Sequence, residues 1–522
     1  MRIRLAPVLA VIVLSLPLAV TSASAGRKPG PLPITLAGVL PAPAETEPEA
    51  EGFRLGPETA IGATGAARPI AEQLAAALRP ATGYDLPVRA GAADITLLLD
   101  ARADQRLGDE GYALTIRPGG VELRAHRPAG LFAGVQTLRQ LLPTEIEADS
   151  VQQRDWELPG GRITDWPRFG YRGAMLDLAR HFHTPAEIRR YIDQISRFKI
   201  NHLHLHLADD QGWRIQIDSW PRLATVGGAE GTGVRGIGGG YLTKTDYRDL
   251  VRYAAERFVT IVPEIDMPGH VNAAQVAYPE LTCDGVAPRP RIDIRVGYSS
   301  LCTGKEITYR FAEDVIREIA ELTPGPYLHI GGDEAHSTPH DGYLAFQQRV
   351  LPLVRKHGKT PVGWQEIAQA PAARDAVVQY WNHEGATGPV VAAAAAGAKV
   401  LLSPANRAYL DMQYDLLTPG GLHWAGTIEV RTAYDWDPGR LLPAVPENLI
   451  LGVEAPLWSE TLRDLADIEF QAFPRLVALA ELAWSPRATH DWESFRTRLG
   501  GYGPRWTRQG VRFYSSPQIR WS

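Results

Sequence analysis

The chain has 522 residues, of which 45% are hydrophobic and 22% are charged. It is long enough for two or three domains and can bury a sizeable core. Its 54 basic and 59 acidic residues give a formal charge of −5, which excludes the basic surface expected of a nucleic-acid-binding protein. No cluster of Lys and Arg is typical of a membrane-binding surface either, so we expect neither kind of partner.

The first 25 residues have the pattern of a secretory signal peptide. A short basic start, "MRIR", precedes the apolar stretch "LAPVLAVIVLSLPLAV", and the small residues at 23–25 fit a cleavage site. The alternative is a membrane anchor, but this stretch contains two prolines and falls short of the roughly 20 residues that a spanning helix needs. We predict cleavage after Ala25 and a secreted, extracellular protein.

Residues 26–50 are rich in Pro, Ala and Glu and predict an exposed leader. Residues 51–160 predict a small α+β domain. Its helices are indicated by "PIAEQLAAALRPATG", an amphipathic pattern that ends at glycine, and by "LFAGVQTLRQLLP". Its strands are indicated by "DITLLLD", "YALTIRP" and "GVELRAH". Residue types that carry chemistry do not cluster in this part of the sequence.

Residues 161–522 predict a (β/α)8 TIM barrel, because eight strand-like segments follow one another and helical stretches separate the early ones. Two connections are irregular: Glu366 and Ala376 are too close for a full helix between them, and no clear helix lies between Pro404 and Leu449. "FQAFPRLVALAELAW" predicts a closing helix. A doubly wound open sheet is the alternative, but no glycine-rich phosphate loop follows the first strand. The eight segments are "YRGAMLD", "NHLHLHLAD", "FVTIVPEID", "YLHIGGDE", "TPVGWQE", "AVVQYW", "AKVLLSP" and "LILGVEAPLW".

Polar and aromatic side chains collect where the predicted barrel strands end. In barrels of this kind the site lies at the C-terminal ends of the strands. A single acid there usually caps the next helix or faces solvent, but so many together indicate a site. In chain order they are Asp177 and Arg180; Asp209 and Asp210; Glu264, Asp266 and His270; Asp333 and Glu334; Trp364; Trp381; and Trp458 and Glu460.

Metal binding and carboxylate catalysis are two chemistries that such residues could support. His202, His204 and His206 alternate along one face of a strand, which resembles a ligand set. Residues on the inner face of a barrel strand pack into the core, however, and the sequence contains no H-x-x-x-H helix pair. We therefore expect core histidines and no metal.

Carboxylate catalysis fits the adjacent pair Asp333 and Glu334 better. One acid with a raised pKa can protonate a leaving oxygen while another group stabilises an oxocarbenium-like centre. Neighbours on a regular strand point to opposite faces, whereas at a strand end preceded by Gly331 and Gly332 both can turn inward. They would then reach different atoms of a substrate, which predicts two different roles.

Three separated motifs, "HLHLADDQGWR", "PEIDMPGH" and "HIGGDE", resemble the β-N-acetylhexosaminidases of glycoside hydrolase family 20, above all the secreted actinomycete enzymes. The resemblance covers about residues 50–520. It implies an exo-acting, retaining enzyme without a cofactor, in which the 2-acetamido oxygen of the substrate is the nucleophile and an oxazolinium intermediate forms. By the same resemblance, Glu334 is the general acid and later the base, and Asp333 holds the acetamido N–H.

The resemblance also implies roles for ten other residues. Tyr409 would hydrogen-bond the acetamido oxygen, and Asp209 and His270 would form a relay towards the acid. Arg180, Asp411 and Glu460 would bind the sugar hydroxyls. The aromatic residues would form the walls of the pocket and the platform for the leaving sugar; they are Trp364, Trp381 and Trp458 for the walls and Trp424 for the platform.

The sequence contains two cysteines, Cys283 and Cys302. An exported protein favours a disulfide between them over two free thiols.

Two alternatives to the functional hypothesis remain: a relative in the same family that releases a disaccharide, and a non-catalytic sugar-binding protein built on an inactive barrel. A chromogenic β-GlcNAc substrate distinguishes the binding protein from an enzyme.

Overall fold

A computed structural model describes residues 34–522. The predicted signal peptide and the start of the predicted leader lie outside this range. Within it, none of the helices is both long enough and apolar enough to cross a membrane.

The N-terminal domain consists of a seven-stranded sheet, a two-stranded sheet and two helices. The large sheet has the order β1-β9-β6-β7-β5-β3-β4, and β2 pairs with β8. The helices are α1 (Arg68–Thr82) and α2 (Pro128–Gln140). The strands are β1 (Glu45–Pro48), β2 (Phe53–Leu55), β3 (Ile61–Gly62), β4 (Val88–Arg89), β5 (Ile95–Leu99), β6 (Tyr112–Arg117), β7 (Gly120–Ala125), β8 (Trp156–Leu158) and β9 (Gly161–Asp165).

The predicted elements of this domain are confirmed. Helix α1 ends at Gly83, whose φ of +70° places it in the left-handed region that favours glycine. Burial alternates along β6 and β7, so one face of each strand packs with the two helices in a common core.

Both predicted boundaries of the domain are wrong. Within the predicted leader at 26–50, Leu36 and Val39 are buried in the core of the domain, and β1 pairs antiparallel with β9. An edge strand with the sequence "ETEP" shows no apolar alternation, because three of its four side chains are exposed. The boundary at 160/161 is also wrong, since β9 pairs with β6 in the same sheet.

The predicted TIM barrel is confirmed. Its eight strands form a closed parallel barrel, and β17 pairs with β10 to complete it. The strands are β10 (Tyr171–Asp177), β11 (His202–His206), β12 (Thr260–Glu264), β13 (Tyr327–His329), β14 (Thr360–Trp364), β15 (Val377–Tyr380), β16 (Lys399–Leu402) and β17 (Ile450–Ala455).

The helices around the barrel are regular early in the chain and irregular late in it. Two 3-10 turns, Gln365–Gln369 and Pro371–Asp375, take the place of a full helix after β14. Short helices occupy the stretch between β16 and β17. The helices are α3 (Pro185–Ser196), α4 (Arg222–Gly227), α5 (Lys244–Ala255), α6 (Asn272–Ala277), α7 (Glu306–Leu322), α8 (His340–Lys356), α9 (Gly388–Ala395), α10 (Ala405–Ala408), α11 (Val430–Tyr434), α12 (Pro438–Leu441), α13 (Leu465–Ala472), α14 (Arg475–Trp484) and α15 (Trp492–Arg508).

The predicted single closing helix is wrong, because two helices, α13 and α14, occupy that segment. Phe473 separates them with an extended backbone, φ −103° and ψ 131°. Proline disfavours the helical conformation in the residue before it, so Pro474 divides an otherwise continuous apolar pattern.

The predicted disulfide between Cys283 and Cys302 is present. It closes a loop that begins after α6 and ends just before α7. Much of this loop is exposed, including Val286, Ile292 and Ile294.

A buried ionic cluster joins the two domains. Glu147 pairs with Arg139 of its own domain at 2.7 Å, and with Arg197 and Arg505 of the barrel domain at 2.8 and 3.5 Å. Burial alone would raise the pKa of Glu147, but these three arginines outweigh burial and hold it well below the usual value.

We expect Glu147→Ala to destabilise the protein by about 3–5 kcal/mol, because it leaves buried guanidinium groups without their counter-charge. Urea unfolding measures this change, and Glu145→Ala is the control, because Glu145 lies on the same 3-10 turn with a more exposed side chain, 23% against 5% for Glu147. Equal stability of the two variants would contradict a structural role for the cluster.

Candidate active site

The interior of the barrel contains a column of paired polar side chains. Glu264 Oε1 accepts a hydrogen bond from Trp364 Nε1 at 2.9 Å and lies 3.0 Å from His329 Nδ1. Its Oε2 lies 3.0 Å from His204 Nε2 and also contacts His206. The column therefore supplies a buried partner to His204 and His206, two of the three histidines that we expected in the core, while the third, His202, is half-buried and stacks on Tyr171.

The column continues upward into the strand ends through His206. Its Nε2 lies 2.7 Å from Asp209 Oδ2. Asp209 also pairs with Arg180 at 3.0 Å and with His270 Nδ1 at 3.0 Å. His206 thus connects the core to the predicted relay, a role that its position within "HLHLHL" does not reveal.

Asp333 and Glu334 both face His270. Its Nε2 lies 3.7 Å from Asp333 Oδ2 and 3.5 Å from Glu334 Oε2. The backbone makes this possible: Gly331, Gly332 and Glu334 all have positive φ, at +66°, +100° and +44°. The adjacent acids therefore turn to the same side, as predicted for an irregular strand end.

Asp266 explains why Gly331 is a glycine. A Cβ at position 331 would lie 1.8 Å from Asp266 Oδ1, and the same oxygen accepts a hydrogen bond from Gly332 N at 3.0 Å. Asp266 stands at the end of the third predicted strand, but the resemblance assigned no role to it. It packs beneath the acid pair as part of the site.

Burial and charge together set the protonation of this group. Burial raises the pKa of Asp333 to about 6, a shift that His270 opposes and Glu334 reinforces. Burial and then Asp333 raise the pKa of Asp266 well above the usual value. Burial alone would lower the pKa of His270, but Asp209, Asp333 and Asp266 outweigh it and raise it well above 6.5. These surroundings favour the protonated form of His270, whose Nδ1 faces the Asp209 carboxylate at 3.0 Å.

Glu366 is a site residue that the sequence analysis did not identify. Its Oε2 accepts a hydrogen bond from Trp381 Nε1 at 3.1 Å. Burial and then Asp333 raise its pKa to about 8. Its position two residues after Trp364, just beyond a strand end, was the available signal.

The raised pKa of Glu366 makes stability depend on pH. In the unfolded chain Glu366 has a pKa of 4.5 and loses its proton near that pH, whereas the folded protein keeps the proton until the pH approaches 8. Stability therefore falls as the pH rises from 4.5 to about 8. We expect the melting temperature of Glu366→Gln minus that of the parent to be larger at pH 9 than at pH 5. Calorimetry measures this, with the exposed Glu321→Gln as control; a difference independent of pH would reject the neutral carboxyl.

The predicted aromatic residues form one continuous cluster. Ring centroids are 5.7 Å apart for Trp364 and Trp458, and 6.3 Å for Trp458 and Tyr409. Tyr409 lies 6.4 Å from Trp381 and 5.8 Å from Trp424. Trp424 is 55% exposed whereas Trp364 is fully buried, so the cluster runs from the mouth of the site to its floor.

Arg180, Asp411 and Glu460 enclose another part of the site. The Arg180 guanidinium carbon lies 5.0 Å from the Trp458 ring centroid, and Trp458 N donates to Asp411 Oδ1 at 3.4 Å. Within residues 34–522, the buried atoms Asp411 Oδ2, Glu460 Oε2 and Asp333 Oδ1 have no hydrogen-bond partner. Such oxygens suit the hydroxyl and N–H groups of a bound sugar.

Metal-like groupings of His and carboxylates also occur here. One contains Asp266, His270 and Asp333, with ligand atoms within 4.8 Å of one another. Each of the two acids also pairs or hydrogen-bonds with protein groups already described, so their arrangement suits a proton relay. That the protein uses neither a metal nor a cofactor stays a prediction.

Two family profiles match the chain. "Glycosyl hydrolase family 20, catalytic domain" matches residues 169–487, and "Glycosyl hydrolase family 20, domain 2" matches residues 37–166. The chain belongs to glycosyl hydrolase family 20. The second profile agrees with the sheet boundaries found here, not with those predicted from the sequence.

Several known proteins are similar to this chain. A β-N-acetylhexosaminidase of Cellulomonas fimi is 43% identical over 83% of this chain and 85% of its own. The structure of the family 20 β-N-acetylhexosaminidase from Streptomyces coelicolor A3(2) has a TM-score of 0.91 at 51% identity and covers 94% of this chain and 100% of its own. A mutant Streptomyces plicatus β-hexosaminidase, solved with the product GlcNAc, has a TM-score of 0.91 at 52% identity over 94% of this chain and 99% of its own.

The structure brings all twelve predicted catalytic and substrate-binding residues of this family 20 chain to the same end of the barrel. Four of them, Asp209, His270, Asp333 and Glu334, form the relay and the acid pair, and five are joined by the aromatic cluster. His206, Asp266 and Glu366 extend the predicted set. Their individual roles in turnover stay predictions, which the variants below test.

Proposed function

We propose that the protein is an exo-acting, retaining β-N-acetylhexosaminidase that removes terminal β-linked GlcNAc and GalNAc from glycans, including chito-oligosaccharides. The observation that carries the proposal is the adjacent pair Asp333 and Glu334, turned together towards His270 Nε2 at 3.7 and 3.5 Å. Membership of family 20, and GlcNAc bound as product in the related Streptomyces plicatus enzyme, support this substrate class.

In the first step the acetamido oxygen of the substrate attacks the anomeric carbon. The bond from that carbon to the leaving oxygen breaks, and Glu334 delivers its proton to that oxygen. An oxazolinium ion remains. In the second step Glu334 takes a proton from water, the water oxygen attacks the same carbon, and the ring opens to regenerate the acetamide. Two inversions give net retention.

Asp333 and Tyr409 hold the acetamido group in this scheme. Asp333 accepts a hydrogen bond from the acetamido N–H, and its carboxylate balances the positive charge that develops on the acetamido nitrogen. The Tyr409 hydroxyl donates a hydrogen bond to the acetamido oxygen. Burial and then Asp333 raise the pKa of Tyr409 well above the usual value, so the hydroxyl stays protonated and remains a donor.

The shape of the site supports the release of one sugar at a time. Arg180 and Asp411 are 3% and 2% exposed, whereas Trp424 is 55% exposed. In the proposed function the terminal sugar therefore occupies the buried end of the site, where Arg180, Asp411 and Glu460 bind its hydroxyls. The leaving sugar would lie on Trp424 at the mouth.

We also propose that the protein is exported. The N-terminal pattern of a signal peptide and the disulfide between Cys283 and Cys302 support export to an oxidising compartment. Chito-oligosaccharides are then accessible as substrates outside the cell.

Product analysis on chito-oligosaccharides tests this function. We expect the tetramer to give GlcNAc and trimer as its first products, with the GlcNAc released as the β-anomer. Disaccharide from the tetramer without early GlcNAc and trimer would identify the alternative relative within the family. Saturable binding without any product would identify a sugar-binding protein, and Glu334→Gln serves as the inactive reference.

A further inference from the structure

The disulfide-closed loop, residues 283–302, is tied to the sugar-binding end of the site through one side chain, that of Gln211. Arg180 Nε donates to Gln211 Oε1 at 3.0 Å, and Gln211 Nε2 donates to the carbonyl oxygen of Asp293 at 2.7 Å. Gln211 is 2% exposed, so water competes little for either bond. The side chain joins Arg180 to a loop whose outer surface is exposed.

Main-chain bonds run beside this link. Val234 N donates to the Arg180 carbonyl at 2.9 Å, Gly233 N to the Gln211 carbonyl at 2.8 Å, and Arg235 N to the Ile292 carbonyl at 2.7 Å. Segment 233–235 therefore spans the same three parts of the chain as the Gln211 side chain. The Gln211 side chain, by contrast, hydrogen-bonds both the guanidinium of Arg180 and the loop.

The loop is anchored near other catalytic groups as well. Ser299 Oγ donates to Asp210 Oδ1 at 2.5 Å and accepts from Val271 N at 2.9 Å. Ser337 Oγ donates to the Gly297 carbonyl at 2.8 Å. The loop thus touches the segments that carry Asp209, His270 and Glu334, and the disulfide closes it at its base.

We propose that Gln211 is a positioning residue that orients Arg180 by fastening it to the disulfide-closed loop, and that the loop thereby sets the affinity of the site for its sugar. The proposal rests on the proposed function, in which Arg180 binds sugar hydroxyls. Asp177 and Asp209 also hold Arg180, at 3.3 and 3.0 Å, so removing Gln211 loosens the guanidinium without expelling it.

Gln211→Met keeps the volume of the side chain and removes both hydrogen bonds. We expect KM for a chromogenic β-GlcNAc substrate to rise about tenfold while kcat changes less, because the lost contact acts on ground state and transition state alike. Gln194→Met is the matched control. Gln194 is 6% exposed, donates to Glu469 at 2.5 Å and lies on α3, away from the strand ends.

Reduction of the disulfide provides the second perturbation, since Cys283 is exposed and accessible to dithiothreitol. Reduction should raise KM in the parent and in Gln194→Met, and should raise it much less in Gln211→Met, whose link to the loop is already broken. Equal effects of reduction in all three proteins would overturn the proposal, as would an unchanged KM in Gln211→Met.

Calorimetric binding of GlcNAc to the same proteins separates this proposal from the proposed function. Binding of GlcNAc by the parent without turnover of any substrate would reject the proposed enzymatic activity. The ratio of Kd values between the parent and Gln211→Met would still test the positioning role of Gln211. A tenfold ratio supports the positioning role and a ratio near one rejects it.

Discussion

Glu334→Gln should lower the turnover of substrates with basic leaving groups by about 10²–10⁴-fold, because the proton that the leaving oxygen needs is no longer supplied. Substrates with activated phenol leaving groups need little protonation and should lose much less in the first step. The slope of log kcat/KM against leaving-group pKa, measured over a series of aryl β-GlcNAc glycosides, should become steeper in the variant.

The matched control for this prediction is Glu321→Gln, an exposed substitution on α7 with 65% of the side chain accessible. It should leave the slope unchanged. An equal loss across all leaving groups in Glu334→Gln would remove Glu334 from the acid role and leave it a part in binding or in the second step.

The second large effect concerns the acetamido group. Asp333→Asn should lower kcat by about 10²–10³-fold, the usual loss when one preorganised charge-stabilising group is removed, although Glu334 remains. The amide cannot balance positive charge that spreads onto the acetamido nitrogen. A β-glucoside with a hydroxyl at C2 should react hardly at all with the parent enzyme, because it carries no internal nucleophile.

A thiazoline analogue of the cyclic intermediate provides the complementary measurement. It should inhibit the parent tightly, since such mimics gain binding from transition-state contacts, and should inhibit Asp333→Asn weakly. The exposed Asp109→Asn (86% accessible) is the control. Good turnover of the glucoside, together with a glycosyl ester trapped on an Asp or Glu by a 2-fluoro sugar, would indicate ordinary double displacement and contradict the mechanism.

The barrel could be predicted because its strands are buried and bounded by turn residues, and because catalytic side chains gather where parallel strands end. Edge strand β1 could not be predicted, because exposed strands need no apolar alternation and "ETEP" has none. Pro474 had a clear signal, but the apolar periodicity around it dominated the helix assignment.

The site residues that the sequence analysis missed share a physical cause. Gln211 bonds to the carbonyl oxygen of Asp293, and a main-chain acceptor carries no information about side-chain type. Glu366 belongs to the site because it lies near Asp333 and accepts a hydrogen bond from Trp381. These contacts form only when the barrel closes, so the sequence pattern does not show them. His206 was correctly assigned to the core, but its second ring nitrogen reaches Asp209, which a strand pattern does not show.

The polar column inside the barrel limits how this site can be transplanted. Glu264 occupies space that bulky hydrocarbon side chains fill in many barrels of this type, as does Glu454 of β17, which lies 2.9 Å from His204 Nδ1. The partners of Glu264 extend step by step to the acid pair. Grafting only the strand-end residues onto a barrel with a hydrophobic interior would leave Asp209 without its buried partner His206. A designer who wants the chemistry must therefore carry over the inside of the barrel as well as its rim.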